Sequence, residues 1–284
     1  MESVDKLIRE NTERLSKSQR KIAFYILENI KSCGYLKAAQ IAEEIGVSEA
    51  TVVRFASALG FSGYPELQKA LRKESLSRLT SFQRMELVSR KIGDDNMLVS
   101  VLREDIQRIE DTIKTVSEDM FIGAVSALSE AENVYVAGVR SSSALASFAA
   151  YYFNVLFKNV RRISSGTADY LTEQLIHGGK NDVILGISFP RYSSAIVRGL
   201  EFAKKRGMKV IALTDSENSP IVKYADYVLT AKSDMDSFAD SLVAPMSIIN
   251  ALIFAAAKLR KNEIKETFSE LENIWDEYNV YDGQ

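Results

Sequence analysis

Apolar residues recur every three to four positions in the first third of the chain, which is the spacing of amphipathic helices. The spacing predicts a short helix over residues 3–15 and a second over residues 19–30, for which Ser16 or Ser18 provides the N-cap. A further helix begins at Tyr64, with a proline in its first turn. This part of the chain is therefore expected to be all-helical.

The most specific local pattern lies between residues 37 and 61. It predicts a helix over residues 38–45, then Gly46 as a residue able to take a positive φ, then Ser48 as the cap of a second helix over residues 49–59. The expected inner face of that second helix is Val52, Val53, Ala56 and Leu59. Helix, tight turn and capped helix form the helix-turn-helix arrangement, whose second helix enters the major groove of DNA.

The outward residues of the second helix have the side chains that such a contact needs. Hydroxyls can bond phosphates, and an arginine can fork onto the edge of a guanine. The residues we expect to contact DNA are Ser48, Glu49, Thr51, Arg54 and Lys69. The alternative is an ordinary helical hairpin, followed by a basic helix that is only a solvated surface.

A connecting region is predicted over residues 79–117. It contains the helix-breaking sequence Gly93-Asp94-Asp95-Asn96 and then a helix over residues 97–116. The apolar residues in register on that helix are Leu98, Val101, Leu102, Ile106, Ile109 and Ile113. Another helix is expected over residues 119–129.

Strands and helices then alternate. Five apolar runs predict buried strands, at residues 134–139, 160–164, 183–189, 210–214 and 227–230. The helices are expected at residues 144–157, 168–176, 193–206 and 242–261, with a last amphipathic helix at residues 265–280. Repeated strand–helix units of this length imply a parallel sheet that is covered on both faces.

The turn after the third predicted strand carries candidate ligand-binding groups. Ser188, Arg191, Tyr192, Ser193 and Ser194 lie there, directly before a helix. Hydroxyls, a guanidinium and the free N–H groups of a helix start suit an anion, and ligands of open α/β sheets bind beyond the carboxyl ends of the strands. The alternative is that Ser193 only caps the helix and Arg191 is a solvated charge.

Composition narrows the functional classes. The single cysteine excludes an intramolecular disulfide, and we find neither a secretion signal nor an apolar run near the ~20 residues of a membrane span, so we expect a cytoplasmic protein without membrane contact. One histidine and no phosphate-binding glycine motif indicate no metal and no cofactor. Residues 1–90 contain 15 Lys and Arg and 11 Asp and Glu, which gives a net charge of +4. The whole chain has a net charge of −2, so the remaining residues have a net charge of −6. A basic first third favours a polyanionic partner there.

Both halves resemble one known family. Residues 37–67, with the sequence GVSEATVVRFASALGFSGYPEL, resemble the DNA-binding domain of RpiR-type bacterial transcriptional regulators. Residues 118–262, with AGVRSSS and NDVILGISFPRYSSAIVRGLEFAKKRGMKVIALTDSENSPIVKYADYVLT, resemble the sugar isomerase (SIS) domain that completes them. The resemblance implies a helix-turn-helix domain over residues 1–78 and, over residues 118–284, a flavodoxin-like α/β domain with a five-stranded parallel sheet.

The resemblance also implies a function. Such regulators are homodimers or homotetramers that bind double-stranded operator DNA and respond to a sugar phosphate. In SIS domains the phosphate is held by hydroxyl-bearing turns after the first and third strands. Those turns correspond here to Ser141, Ser142 and Ser143, and to Ser188, Arg191 and Ser193.

One departure from the family pattern affects the ligand. The third-strand turn of SIS domains resembles SxSGxT, whereas this chain has SFPRYS, with Pro190 in place of the middle serine and Arg191 in place of the glycine. Ser188 and Ser193 still match the first serine and the threonine. The effector is therefore expected to be a differently shaped sugar phosphate, or another anion, with Arg191 taking part of the charge recognition.

Two other functional classes are weighed against a DNA-binding regulator. A phosphosugar isomerase, or another SIS-domain enzyme, needs a general base, and the candidates are His177, near the end of a helix, and Glu173 one turn earlier. No acid–base pair emerges from the sequence, so we do not expect an enzyme. A sugar-binding regulator that acts only through protein partners would leave the helix-turn-helix pattern without a role.

Overall fold

The computed structural model describes residues 3–78, 96–163, 167–233 and 239–281. The chain divides into two compact units, one with the N-terminal helices and the other with the β-sheet. Of the predicted connecting region over residues 79–117, residues 79–95 lie outside the described residues. The boundaries proposed from the sequence, at residues 78 and 117, therefore stay a prediction.

The first unit is all-helical, as the periodicity predicts. Its helices are α1 (Val4–Asn11), α2 (Lys17–Glu28), α3 (Ile30–Cys33), α4 (Ala38–Ile45), α5 (Glu49–Ala58) and α6 (Tyr64–Arg78). Ser16 is the cap of α2: its hydroxyl accepts from the N–H of Gln19, while the Gln19 side chain accepts from the N–H of Ser16. This reciprocal pair satisfies two N–H groups that a helix start leaves free.

The core of the first unit corrects one predicted face. Val53 was expected inside, but 40% of its surface is exposed, and Phe55 is fully buried instead. Val52, Phe55, Ala56 and Leu59 follow the three-to-four-residue spacing of one helix face, whereas Val53 is rotated about 100° from Val52. The inner face of α5 therefore contains the larger side chain of Phe55 where a valine was expected.

The second unit alternates helices with strands after two leading helices. Its helices are α7 (Met97–Ile113), α8 (Glu118–Glu130), α9 (Ser142–Leu156), α10 (Ala168–Gln174), α11 (Ser194–Lys205), α12 (Val243–Leu259) and α13 (Lys261–Glu277). Its strands are β1 (Asn133–Gly138), β2 (Val160–Ile163), β3 (Asp182–Ile187), β4 (Lys209–Thr214) and β5 (Tyr227–Thr230).

The five strands form one parallel sheet in the order β2-β1-β3-β4-β5. This is the flavodoxin-like order of doubly wound folds. In register, Gly138 at the end of β1 lies opposite Ile187 of β3, and Ile187 lies opposite Leu213 of β4. The predicted five-stranded parallel sheet is confirmed.

Helices cover both faces of the sheet. Val183, Leu185 and Ile187 point to one face, which packs against α8, α9 and α12. Ile184 points to the other face, which packs against α10 and α11. Both alternating sets of β3 side chains are buried, which is why this strand reads as a continuous apolar run.

The end of the chain differs from the prediction. A helix was expected over residues 242–261 and a separate one over residues 265–280, but α12 ends at Leu259 and α13 begins at Lys261, with a bend of 102° between them. In the described part of the chain, no single helix is long and apolar enough to cross a membrane. The bent pair of α12 and α13 meets that length and composition only when both helices are taken together.

Candidate functional site

The turn between α4 and α5 has the geometry that the sequence predicts. Gly46 takes a φ of +66°, which ends α4 in a left-handed cap that other residues adopt at a cost. The N–H of Val47 then bonds the carbonyl of Ala42 at 2.9 Å. Ser48 caps α5 by accepting from the N–H of Thr51 at 3.3 Å. The two helices are thereby joined by a tight and fully capped turn.

Polar groups gather on the exposed first turns of α5. The hydroxyls of Ser48 and Thr51 lie 2.8 Å apart, and Nη2 of Arg54 lies 3.5 Å from the Thr51 hydroxyl. Ser48, Glu49 and Arg54 are exposed, and Thr51 is half-buried. Lys69 is exposed on α6, a helix that packs against α5. We call Ser48, Thr51 and Arg54 the α5 surface; it presents two hydroxyls and a guanidinium, which suit phosphates and base edges.

The second candidate site lies at the carboxyl edge of the sheet. From β1 the chain crosses outward to β2, whereas β3 pairs on the opposite side of β1. The strand order therefore reverses between β1 and β3, which is the place where doubly wound folds bind their ligands. The turns after these two strands carry the predicted ligand residues.

The turn after β1 brings α9 very close to the strand. A Cβ on Gly138 would lie 2.6 Å from the carbonyl oxygen of Ser142, so only glycine allows this approach. Ser141 is exposed at the N-cap position of α9, and Ser142 is buried. The hydroxyl of Ser143 donates to the carbonyl of Arg140 at 2.6 Å. Of the three predicted serines, Ser141 is the one whose side chain faces solvent most openly.

The turn after β3 is fixed by Ser188. This side chain is buried, and its hydroxyl accepts from the N–H of Ser193 at 3.2 Å. Ser193 occupies the N-cap position of α11 without a side-chain capping bond, and Arg191 is exposed. Ser188 therefore shapes the loop, while Arg191 and Ser193 are the groups accessible to a ligand.

Comparison with known proteins assigns both units. The family model described as "Helix-turn-helix domain, rpiR family" matches residues 2–78, and the model of the SIS domain matches residues 127–255. The chain therefore carries the helix-turn-helix domain of the rpiR family and a SIS domain. The first match includes the turn between α4 and α5, and the second includes the turns after β1 and β3.

Curated relatives span nearly the same length. An uncharacterized HTH-type transcriptional regulator of Clostridium perfringens is 27% identical over 264 residues, which are 90% of each chain. A second, from Caldanaerobacter subterraneus, is 28% identical over 275 residues, 93% of this chain and 94% of the relative.

Two solved structures share the fold. The sugar isomerase domain of an RpiR transcription factor from Sphaerobacter thermophilus is 28% identical and covers 63% of this chain and 99% of its own, with a TM-score of 0.60. The NanR protein of Vibrio vulnificus, solved in complex with ManNAc-6P, is 21% identical and covers 97% and 98%, also with a TM-score of 0.60.

Sequence reasoning missed a buried polar contact beside the turn after β3. The phenol of Tyr192 donates to Oδ1 of Asp215 at 2.7 Å, and the Thr214 hydroxyl donates to the carbonyl of Ser188 at 2.8 Å. Burial, and then the bond to Asp215, raise the pKa of Tyr192 above its usual range. The available signal was that Asp215 directly follows a predicted strand, which is how polar residues reach the carboxyl edge of a sheet.

A cavity of about 360 Å³ lies elsewhere in the SIS unit. Its lining includes Asn133 at the beginning of β1, Asn159 just before β2, Lys158 and Arg260. It therefore lies at the amino edge of the sheet, opposite the turns after β1 and β3. Within the described ranges, no group of three or more His, Cys, Asp or Glu residues is placed to hold a metal ion.

Proposed function

We propose that this chain is a transcriptional regulator that binds double-stranded operator DNA through α5 and a sugar phosphate at the carboxyl edge of its sheet. The observation that carries the proposal is the α5 surface. It is the exposed start of the second helix of a helix-turn-helix, capped by Ser48 and lined by Thr51 and Arg54. Recognition helices contact base edges with their N-terminal residues.

The chemistry of the α5 surface supports DNA rather than protein as its partner. Arg54 is exposed, and Nη2 of its guanidinium lies 3.5 Å from the Thr51 hydroxyl, which holds the side chain near the helix. Among the described residues, no carboxylate forms an ion pair with this guanidinium. A bidentate contact from arginine to O6 and N7 of guanine is the commonest base-specific contact. Ser48 and Lys69 are then proposed to contact phosphates, which position the helix.

The carboxyl edge of the sheet, where the turns after β1 and β3 lie, supports a phosphorylated ligand. Two helices, α9 and α11, begin after the neighbouring strands β1 and β3, and helix starts favour anions. Arg191 adds a guanidinium, and Ser141 and Ser193 add hydroxyls. The NanR structure, which contains ManNAc-6P, supports a sugar phosphate as the class of ligand. Ser142 and Ser143 are proposed to shape the first turn, as Ser188 does in the second.

The positions of the possible bases support a non-catalytic role. Glu173 and His177 are exposed at and beyond the end of α10, directly before β3 begins. A helix that joins two parallel strands ends at the amino edge of the sheet, so these groups are remote from the carboxyl edge. We therefore propose a binding function in the cytoplasm, carried out by a homodimer or homotetramer.

Selection of DNA from a random duplex library tests the proposal. The full-length protein is expected to enrich a symmetric sequence whose half-sites are about one helical turn apart. Binding should weaken steeply between roughly 50 and 200 mM salt, because phosphate contacts release counterions. A thermal-shift screen of sugar phosphates with the same protein should show stabilisation by at least one of them. Failure to enrich any sequence would contradict the DNA-binding role, whereas failure of every sugar phosphate would contradict only the effector.

A further inference from the structure

Helix α7 has an apolar stripe that the described part of the chain leaves largely uncovered. The α7 stripe consists of Val99, Leu102, Ile106, Ile109 and Ile113, spaced alternately by three and four residues. Val99 is 43% exposed, Leu102 53%, Ile106 57% and Ile113 69%. Such a heptad-like spacing places all five side chains along one seam, which is the pattern of helices that pack against another helix.

The side of α7 that faces its own domain is largely polar, with Ile109 as its apolar contact to the core. Thr112 is buried and its hydroxyl accepts from the N–H of Lys232 at 2.9 Å. Asp105 accepts from the hydroxyl of Ser241 at 2.7 Å and from Arg108 at 3.1 Å. Only 12% of the Arg108 side chain is exposed. The best-shielded side chains of α7 are thus mostly hydrogen-bonding groups. Of the stripe, Ile109 is half-buried against the core of the SIS unit, whereas Val99, Leu102, Ile106 and Ile113 face outward.

The charges beside the α7 stripe favour one occupant. Arg103 and Glu110 are both exposed and lie seven residues apart, hence on the same flank of the stripe. Neither forms an ion pair with another residue in the described ranges. In an antiparallel pair of identical α7 helices, a two-fold axis between Ile106 and Ile109 would place Arg103 of each copy against Glu110 of the other. The same axis would place Leu102 of one copy against Ile113 of the other.

We propose that a second copy of this chain covers the α7 stripe in such an antiparallel pair. A two-fold interface must be self-complementary, and both the apolar seam and the Arg103–Glu110 flank meet this requirement. The inference rests on the proposed function in one respect: one helix-turn-helix reads one half-site, so an operator-binding protein needs a second copy. It adds to that function the surface on which the two copies meet.

Sedimentation of the full-length protein at micromolar concentration tests this interface. We expect the wild type to be dimeric or larger, and Ile106→Glu to raise the dissociation constant roughly a hundredfold or more, because a carboxylate would be buried without a partner. Ile176→Glu is the matched control. Ile176 is 54% exposed and follows α10, on the opposite face of the sheet, so this variant should assemble as the wild type does.

Charge reversal keeps the test decisive if Ile106→Glu fails to fold. Arg103→Glu and Glu110→Arg should each weaken the dimer, and the double variant should restore it, because only the intermolecular pair is regenerated. A monomeric wild type would overturn the inference, and so would an Ile106→Glu protein that is folded and fully dimeric. So would a double variant that is no tighter than either single one. A monomeric wild type would also contradict the proposed homodimer or homotetramer, whereas the other two results concern only the interface. The DNA-binding role of α5 is tested separately, by Arg54→Ala.

Discussion

The phenol of Tyr192 lies 2.7 Å from Oδ1 of Asp215 and joins the turn after β3 to the turn after β4. The two residues are 23 positions apart in sequence but come together because β3 and β4 are neighbours in the sheet. Asp215 is buried, so the hydrogen bond forms largely out of water. The loop that holds Arg191 is thereby fixed at both ends, by Ser188 at its base and by Tyr192 near its end.

Loss of this phenol should destabilise the SIS unit. Tyr192→Phe removes a donor to a buried carboxylate, which typically costs about 1.5–3 kcal/mol. Urea unfolding followed by circular dichroism measures the loss. Tyr170→Phe is the control, because Tyr170 is exposed on α10 and its hydroxyl can bond water instead. Equal stability of Tyr192→Phe and the wild type would show that the contact contributes little.

The same contact predicts a pH dependence. The raised pKa of Tyr192 means that the folded chain keeps a proton which the unfolded chain releases above about pH 10, the ordinary value for tyrosine. The stabilisation is therefore complete below pH 10 and declines as the pH rises through and above it. Unfolding free energies measured between pH 8 and 11 should fall less steeply in Tyr192→Phe than in the wild type; identical slopes would contradict this assignment.

Cys33 should be chemically inert in the folded protein. It is fully buried in the first unit, and burial raises the pKa of its thiol to about 12. Because the thiolate is the reactive form, Ellman's reagent should label the native protein far more slowly than the urea-denatured protein at pH 8. The chain has one cysteine, so the signal is unambiguous. Rapid labelling of the native form would show that this core opens readily.

The α5 surface predicts a loss of operator affinity. Arg54→Ala and Thr51→Ala should each weaken binding to the selected operator by about 1–3 kcal/mol without changing the fold, because a base contact or its support is lost. Fluorescence anisotropy measures the affinity. Arg14→Ala is the control: Arg14 is also exposed in the first unit, and the variant loses the same charge. If both arginine variants weaken binding equally, the effect is one of net charge rather than of recognition.

The presence of most helices and of the five strands was predictable from the sequence because their signals are local. The strand order was not predicted, because it depends on contacts between distant residues. Gly46 and Ser48 mark the helix-turn-helix by their own backbone and capping requirements, and the apolar runs of β1 and β3 mark strands buried on both faces. The placement of Val53 was wrong because Val52 and Val53 are adjacent, and their apolar character alone does not show which of them faces the core. Because Val53 was placed on the inner face, Phe55, which packs in that core, was not included in it.

The candidate ligand site was predictable only in part. The serines of both turns were found because they follow strands, and the pairing of β1 with β3 brings those turns to the same edge of the sheet. The roles within the turn were not predictable, because they depend on contacts between distant residues. Ser188 turned out to cap the backbone of Ser193, and Tyr192 to bond Asp215. Whether Arg191 and Ser193 contact a ligand stays a prediction.

The effector turn predicts a graded loss of ligand affinity. Arg191→Ala should weaken binding of the sugar phosphate found by thermal shift more than Ser188→Ala or Ser193→Ala does, because it removes a charge-assisted contact. Arg191→Lys should recover only part, since an ammonium cannot reproduce the planar fork. Calorimetry measures each affinity, and Arg198→Ala, on the exposed side of α11, is the control. Unchanged affinity in all three alanine variants would place the ligand elsewhere in the sheet.

The affinity of the full-length protein for its selected operator, measured with and without that sugar phosphate, tests the central claim most directly. An effector that favours one arrangement of the protein should change the operator dissociation constant by roughly 5- to 150-fold. The change should require a higher ligand concentration in Arg191→Ala, while ligand-free operator binding stays as in the wild type. An operator affinity that is the same at zero and at saturating sugar phosphate would contradict the account.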